Sequence, residues 1–319
     1  MGTYVDDVDS LGFSCPDDLD KEAYIKFWNN YVPILKRRDR RWRKVGLPRG
    51  KKLRRFVHKG VPSRLRPMIW MLGCPQIGMA KYDVNKQVVD AICLDLPRTF
   101  PDNKRLSNAA GNRIIGRILY RVAEYFPDIG YCQGFNYIAA LIYLILNDEN
   151  QTVRLMTHSI QQRRTYYTSD MSGIIVDIKV LRDLLRDRKM MPNALIRLME
   201  TDMEMMLSKW FLCWFLETLP MESVLRIWDC LFLEGDVVLF RVAVALIEAS
   251  VPSLAKCRTT ADVFEVFRDI GTSPLAVDCH HLLEVAFAND KVSITETKLN
   301  EYRHCYANCA DMKPKSDIR

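Results

Sequence analysis

Residues 112–146 read NRIIGRILYRVAEYFPDIGYCQGFNYIAALIYLIL. The first half places Ile114, Ile115, Ile118, Leu119, Val122 and Phe126 three or four residues apart, the spacing of one helical face. PDIG then breaks the chain, because proline and glycine are the strongest local punctuation. A second apolar helix is expected from about Phe135 to Leu146. Neither half alternates with the period of a strand, so the stretch reads as two helices joined by a turn.

The same period extends outward. Toward the N-terminus, residues 83–96 repeat apolar groups at Val84, Val88, Ile92 and Leu96. Residues 62–72 open on Pro62 and Ser63, which suit a helix start. Residues 19–36 carry Leu19, Tyr24, Phe27, Trp28, Tyr31 and Leu35 on roughly one face. Toward the C-terminus, helices are expected at 151–162, 176–188, 192–206, 208–218, 221–233, 237–250, 260–269, 276–287 and 295–308. Alternating β-branched runs bounded by turns are missing, and no repeat at a solenoid period is present. The fold class is therefore all-α. Lys36–Lys59, with Gly46, Pro48 and Gly50, reads as a linker between an N-terminal helix and the main domain.

A chain of 319 residues with 49% hydrophobic and 27% charged residues can bury a substantial core, which argues against bulk disorder. The clean apolar run Tyr137–Leu146 is too short to span a bilayer. MGTYVDDVDS lacks a signal pattern, Asp6 stands where myristoylation needs Ser or Thr, and SDIR offers no prenylated cysteine. The expectation is a cytoplasmic protein, recruited to membranes peripherally through partners or charge. Ten scattered cysteines form no secreted framework. Cys279, His280, His281, His304, Cys305 and Cys309 come nearest to a metal cluster, yet their spacing matches no usual zinc site.

Charge is unevenly spread. Residues 1–20 hold six aspartates and no basic residue, whereas residues 36–66 hold fifteen Lys or Arg against one acid, Asp39. Such a stretch suits contact with an anionic membrane or nucleic acid; its plainer use is a solvated entry tacked down by Trp42 and Phe56. No nucleic-acid motif accompanies it.

Most catalytic signatures are absent: no GxSxG, no HExxH, and GLPRGK (46–51) is too short for a phosphate loop. Two stretches remain. In ICLDLPRTFPDN (92–103), Asp95 and Arg98 are one turn apart and could pair, but Pro97 lacks an N–H. The helix is expected to end near Leu96, leaving Arg98 on the exit loop with a free guanidinium. In GYCQGFN (130–136), two glycines bracket Tyr131 and Gln133, whose amide can both donate to and accept from a water. Read singly, each stretch is better explained by a surface pair or a satisfied turn.

Together the stretches resemble the TBC domain, the family of GTPase-activating proteins for Rab GTPases. KGVPSRLRPMIW (59–70) looks like the domain's opening, with Arg66 and Trp70 in place. Ile92, Asp95 and Arg98 match IxxDxxR, and Tyr131 and Gln133 match YxQ. SKWFLCWFLETLP (208–220) and VLRIWDCLFLEGDVVLFRVAVALIEA (224–249) are similar to the C-terminal lobe. The resemblance implies a two-lobed helical domain over 58–290, preceded by a helix and basic linker (1–57) and followed by a C-terminal helix and tail (291–319). It implies that Arg98 serves as an arginine finger and Gln133 as a glutamine finger, both supplied in trans. Asp95, Tyr131, Asn136, Arg66 and Trp70 would support the site or face the Rab. Trp210, Trp214 and Trp228 would be lobe core. The chain would hold no cofactor of its own, GTP and Mg²⁺ belonging to the partner Rab in its GTP form, and would not itself be an enzyme. A non-catalytic Rab-binding adaptor and an anionic-membrane-binding helical module are the alternatives.

Overall fold

A long first helix, α1 (Lys21–Val45), opens on Asp20, whose carboxylate accepts from the backbone N–H groups of Glu22 and Ala23. The computed structural model describes residues 9, 11–15, 19–78, 83–189, 196, 203–288 and 293–311, and no strand occurs among them. From α1 the chain passes to α2 (Gly50–Lys59), α3 (Arg66–Trp70), α4 (Lys86–Asp95), α5 (Ala109–Ala123), α6 (Phe135–Leu146), α7 (Glu149–Gln162) and α8 (Ser172–Asp187). Then come α9 (Met203–Leu212), α10 (Met221–Glu234), α11 (Val237–Leu254), α12 (Thr260–Asp269), α13 (Pro274–Val277), α14 (Cys279–Ala286) and α15 (Glu296–Asp311). The all-α expectation holds.

Two expectations need correction. The basic segment is mostly helical rather than a linker. Lys36–Val45 continues α1, with Trp42 buried, and α2 buries Leu53, Phe56 and Val57; only residues 46–49 separate the two helices. The exposed lysines and arginines hid a face whose buried members are Trp28, Tyr31, Asp39 and Trp42. The helix expected at 208–218 instead ends at Leu212, and Trp214 and Phe215 turn back with φ of 50° and 67°. Tertiary bonds fix that unusual backbone: Trp214 Nε1 donates to the Tyr167 hydroxyl, and Trp228 Nε1 donates to the Trp214 carbonyl. The helix expected at 295–308 is present as α15 and is docked: Leu299 is buried, and Arg303 bonds both oxygens of buried Asp177. The helix expected at 192–206 falls largely outside the described residues.

At the centre, α6 is apolar almost all round and packs against α5, α7 and α3. α11 is long and apolar enough to cross a membrane, but it is mostly buried among α8, α10, α12 and α14. Trp70, Trp214, Trp228 and Phe232 form one aromatic cluster, with ring centroids 5.0–6.1 Å apart. Trp210, Trp214 and Trp228 are core side chains, as anticipated.

Candidate functional site

α4 lies on the surface and buries only Ile92 and Asp95. Its N-terminus is capped by Asn85, which accepts from Val88 N–H at 2.9 Å. Its α-helical ladder stops where Pro97 cannot donate, and the chain tightens into a 3₁₀ turn over Leu96–Arg98. The expected break is thus real, but the guanidinium is not free. Arg98 Nη2 lies 2.5 Å from Asp95 Oδ1, and Nε bonds the Leu94 carbonyl at 3.3 Å. The Arg98 side chain is still 65% exposed, while that of Asp95 is 11% exposed, so the pair is open on the arginine side.

The second loop approaches from the N-terminus of α6. Gly130 has φ 63°, and a Cβ there would lie 2.6 Å from Val88 Cγ2 on α4. Gly134 has φ 101°, and a Cβ there would lie 2.5 Å from Cys213 Sγ. The loop is therefore wedged between α4 and the turn after α9, with glycine required at both ends. Gln133 is exposed between them, and its amide has no hydrogen bond among the described residues.

Asp95 joins the two loops. Its Oδ2 accepts from the Tyr131 hydroxyl at 2.6 Å while Oδ1 holds Arg98. Asn136 Nδ2 donates to Thr99 Oγ1 at 2.8 Å, and that hydroxyl donates to the Asp95 carbonyl at 2.8 Å. Asn136 Oδ1 accepts from Gly134 N–H, and the Tyr137 hydroxyl donates to the Arg98 carbonyl. Burial, with the Asp95 carboxylate beside it, pushes the Tyr131 phenol well above its ordinary pKa, so it remains a donor. Burial raises the Cys132 thiol to about 11, which keeps it protonated and unreactive at neutral pH.

The structure thus brings Asp95, Arg98, Tyr131, Asn136 and the Gln133 loop together. It does not bring Arg66 or Trp70 to them. Arg66 is 3% exposed; its Nε donates to Asp229 and its Nη2 to Glu222, while Trp70 Nε1 donates to Asp229 at 2.8 Å. These side chains hold α3 against α10 and have no surface to offer a partner. Several residues around the site, Thr99 and Tyr137 among them, escaped the sequence reading. Leu94 is 69% exposed one turn before Arg98, an apolar side chain on the outer face of α4. The Val84, Val88, Ile92 and Leu96 repeat leaves that residue off the packed stripe, which was the available signal. Phe13 packs edge-on against Phe100 at 4.9 Å, and Phe100 against Tyr137 at 5.1 Å, bracing the Arg98 turn from behind.

One group of donor atoms among the described residues comes close enough to hold a metal. His58, Cys230 and Glu234 present theirs within 4.8 Å of one another. His58 bonds Glu234 directly, burial pushes the Cys230 thiol well up, and Arg241 lies 4.0 Å from Glu234. Such a set favours a hydrogen-bonded core pair over a cation.

The Rab-GTPase-TBC domain family model matches residues 64–254, which contain both loops. The chain belongs to this family. It is 40% identical over 308 residues to growth hormone-regulated TBC protein 6 of Caenorhabditis elegans, covering 93% of this chain and 92% of that protein. It is 33% identical over 300 residues to growth hormone-regulated TBC protein 1 of Homo sapiens, covering 88% and 89%. Among solved structures, the Chlamydomonas flagellar RabGAP TBC domain superposes with a TM-score of 0.70 at 24% identity, covering 88% of this chain and all of that one. The Ypt/Rab-GAP domain of Gyp1p gives 0.64 at 17%, covering 82% and 99%. These two likenesses show the TBC fold. The family match also corrects the reading that the chain stands outside the enzymes. A Rab-GAP domain accelerates GTP hydrolysis on its partner, which makes it a GTPase activator rather than a non-enzyme.

Proposed function

We propose that this TBC protein accelerates GTP hydrolysis on a Rab GTPase in its GTP form, with Arg98 and Gln133 as the two fingers. The observation that carries the reading is the Asp95 carboxylate, which holds Arg98 through one oxygen and Tyr131 of the Gln133 loop through the other. Hydrolysis needs compensation of charge on the transferring phosphoryl group and an oriented water. Arg98 exchanges its Asp95 pair for phosphate oxygens. The Asp95 carboxylate keeps the Tyr131 hydroxyl when Arg98 leaves, and an arginine finger is worth roughly 10³–10⁵ in rate. Gln133 is presented on a glycine-flanked loop with its amide uncommitted, as an orienter of water requires. GTP and Mg²⁺ come with the Rab. The setting is vesicle trafficking, with the protein cytoplasmic and drawn to anionic membrane through residues 36–66.

The test is phosphate release from a panel of GTP-loaded Rabs. Arg98→Ala should lower the stimulated rate by about 10³-fold or more, and Gln133→Ala by a comparable factor, with unchanged melting curves because both side chains are exposed. Unaltered stimulation by Arg98→Ala would sink the mechanism. Binding to GTP-loaded Rabs without acceleration across the panel would establish the adaptor instead.

A further inference from the structure

The basic stretch does more than cover the surface. α1, α2 and α14 line a cavity of about 710 Å³ that opens to solvent. Arg37, Arg38 and Arg41 line it from α1, and Lys51, Arg54 and Arg55 from α2. These positions recur at three- and four-residue intervals, so they occupy one face of each helix. The floor is apolar, with Trp42, Phe56 and Phe287 among its members. One acid lines the cavity, Glu284, and it pairs with His280 at 3.2 Å. Asp39 does not line it. That carboxylate holds Arg43 at 2.8 Å and Arg64 at 2.9 Å, which leaves no counter-charge from the basic stretch for the cavity. Among the described residues, Arg37, Arg41, Lys51, Arg54 and Arg55 have no carboxylate partner.

Two details show that the cations are placed and not merely solvated. The Arg41 guanidinium sits over the Phe56 ring, 5.3 Å from its centroid, which fixes the plane of its donor fork. Arg38 uses Nη2 on the His280 ring at 3.0 Å, while its buried Nη1 makes no hydrogen bond. A Cβ at Gly60 would be 2.6 Å from Arg38 Nη1 and 3.0 Å from Arg226 Nη1, so the two guanidiniums converge on one spot. Burial and then the Arg226 charge lower the Arg38 pKa. Arg226 is answered by Asp229, 3.9 Å away, and by two backbone carbonyls, whereas the buried Arg38 donor is left without a partner, which is costly without an anion.

We propose that this cavity binds a ligand bearing several phosphate groups on a compact ring, of the inositol polyphosphate type, either free or as a lipid headgroup. Guanidinium forks match phosphate oxygens in pairs, and cations from two facing helices suit more than one phosphate. The volume lies in the usual range for a small-molecule site, and the aromatic floor suits the carbon face of a ring. None of the lining residues belongs to α4 or α6, so the site is separate from both fingers. For its lipid-borne source the proposal rests on the anionic-membrane reading of residues 36–66; for the free source it stands alone.

Calorimetry of the full chain with inositol 1,4,5-trisphosphate tests the cavity, and flotation with vesicles tests the source. One vesicle set carries phosphatidylinositol 4,5-bisphosphate, and the other carries phosphatidylserine at matched charge. The soluble trisphosphate should bind saturably at one site. Arg41→Ala with Arg54→Ala should weaken it by about tenfold or more, and Lys36→Ala with Lys44→Ala, exposed cations outside the cavity, by less than about twofold. Bisphosphate vesicles floating the wild type but not the Arg41/Arg54 variant would identify the lipid source; saturable binding confined to the soluble ligand would identify the free one. Equal flotation on both vesicle sets without saturable soluble binding would overturn the cavity while leaving the membrane reading intact. No binding in any arm would overturn both. Equal weakening by the Lys36/Lys44 variant would reduce the site to diffuse charge. Tighter binding of a short single-stranded RNA, lost in the Arg41/Arg54 variant, would assign the cavity to another class of ligand. Melting curves of all variants should coincide with wild type, because the replaced side chains are exposed.

Discussion

Asp95 carries two obligations at once. It tethers Arg98 at rest, and it anchors the Tyr131 hydroxyl whether or not Arg98 has left. Tyr131→Phe removes one of these bonds without changing the volume of the ring. The Gln133 loop then loses its link to α4, and the Asp95 carboxylate is held by Arg98 more strongly. The stimulated kcat should fall by about tenfold, near the worth of one hydrogen bond to a charged group, with KM for the GTP-loaded Rab nearly unchanged. Single-turnover hydrolysis at saturating activator measures this; a rise in KM with constant kcat would assign Tyr131 to Rab contact instead. The pH response follows from the same phenol. Its pKa is raised above the ordinary phenol value of about 10, so the protonated donor is favoured in the folded state. Up to that value neither state ionises and nothing is lost. Above it the unfolded phenol ionises first, and folded stability declines. Denaturant midpoints should accordingly show no pH-dependent change from Tyr131 between pH 7 and about pH 9, where its contribution is fully present, and a decline beyond about pH 10 that is smaller in Tyr131→Phe.

At the scale of the element, the Arg98 turn is open to solvent on one side and braced on the other. Outside, α4 presents Leu94 to solvent. Behind, the N-terminal segment lies along the chain after Phe100: the Leu11 carbonyl accepts from Asn103 Nδ2, and the Gly12 carbonyl accepts from Lys104 N–H. Leu94→Glu should raise KM about tenfold with little change in kcat or melting, because it alters an exposed face that a partner would cover. Phe13→Ala should do the reverse, lowering kcat a few-fold at constant KM and costing about 1–2 kcal/mol of stability for a half-buried ring. Steady-state assays on the two variants separate the roles. Most helices were legible because a 3.6-residue apolar stripe and polar caps agree, as at α5 with Asn108 and α7 with Asp148. The second half of α1 was not, since ten residues dense in Lys and Arg buried only Asp39 and Trp42. The end of α9 was not, because the turn at Trp214 and Phe215 is dictated by Tyr167 and Trp228, distant in sequence. In the site, Arg98, Gln133, Asp95 and Tyr131 were legible as motif residues. Their sharing of one carboxylate was not, because no spacing encodes a contact between α4 and the loop before α6.

For the whole molecule, the Arg66–Asp229–Trp70 group ties the beginning of the matched domain to α10, more than 150 residues later. Burial alone would lower the Arg66 pKa; the carboxylates of Asp229 and Glu222 outweigh it and hold the guanidinium charged. Arg226 Nη1 lies 3.9 Å from the same Asp229, and its guanidinium donates to the carbonyls of Val57 and His58 on α2. One carboxylate therefore organises α2, α3 and α10. Truncating one partner of such a buried pair typically costs about 3–5 kcal/mol, since the other charge is stranded. Arg66→Ala should therefore lower stability by that amount in equilibrium denaturation. Arg66→Met combined with Asp229→Leu should recover part of the loss, limited by the indole N–H of Trp70 that then lacks an acceptor. The readout that separates scaffold from site is activity per folded molecule. α3 packs on α6, whose N-terminus follows Gln133, but neither Arg66 nor Trp70 touches the loop network. In conditions where Arg66→Ala remains folded, stimulated kcat and KM should match wild type within about twofold. A large kcat loss in folded Arg66→Ala would instead show that packing at Asp229 sets the geometry of the fingers through α6.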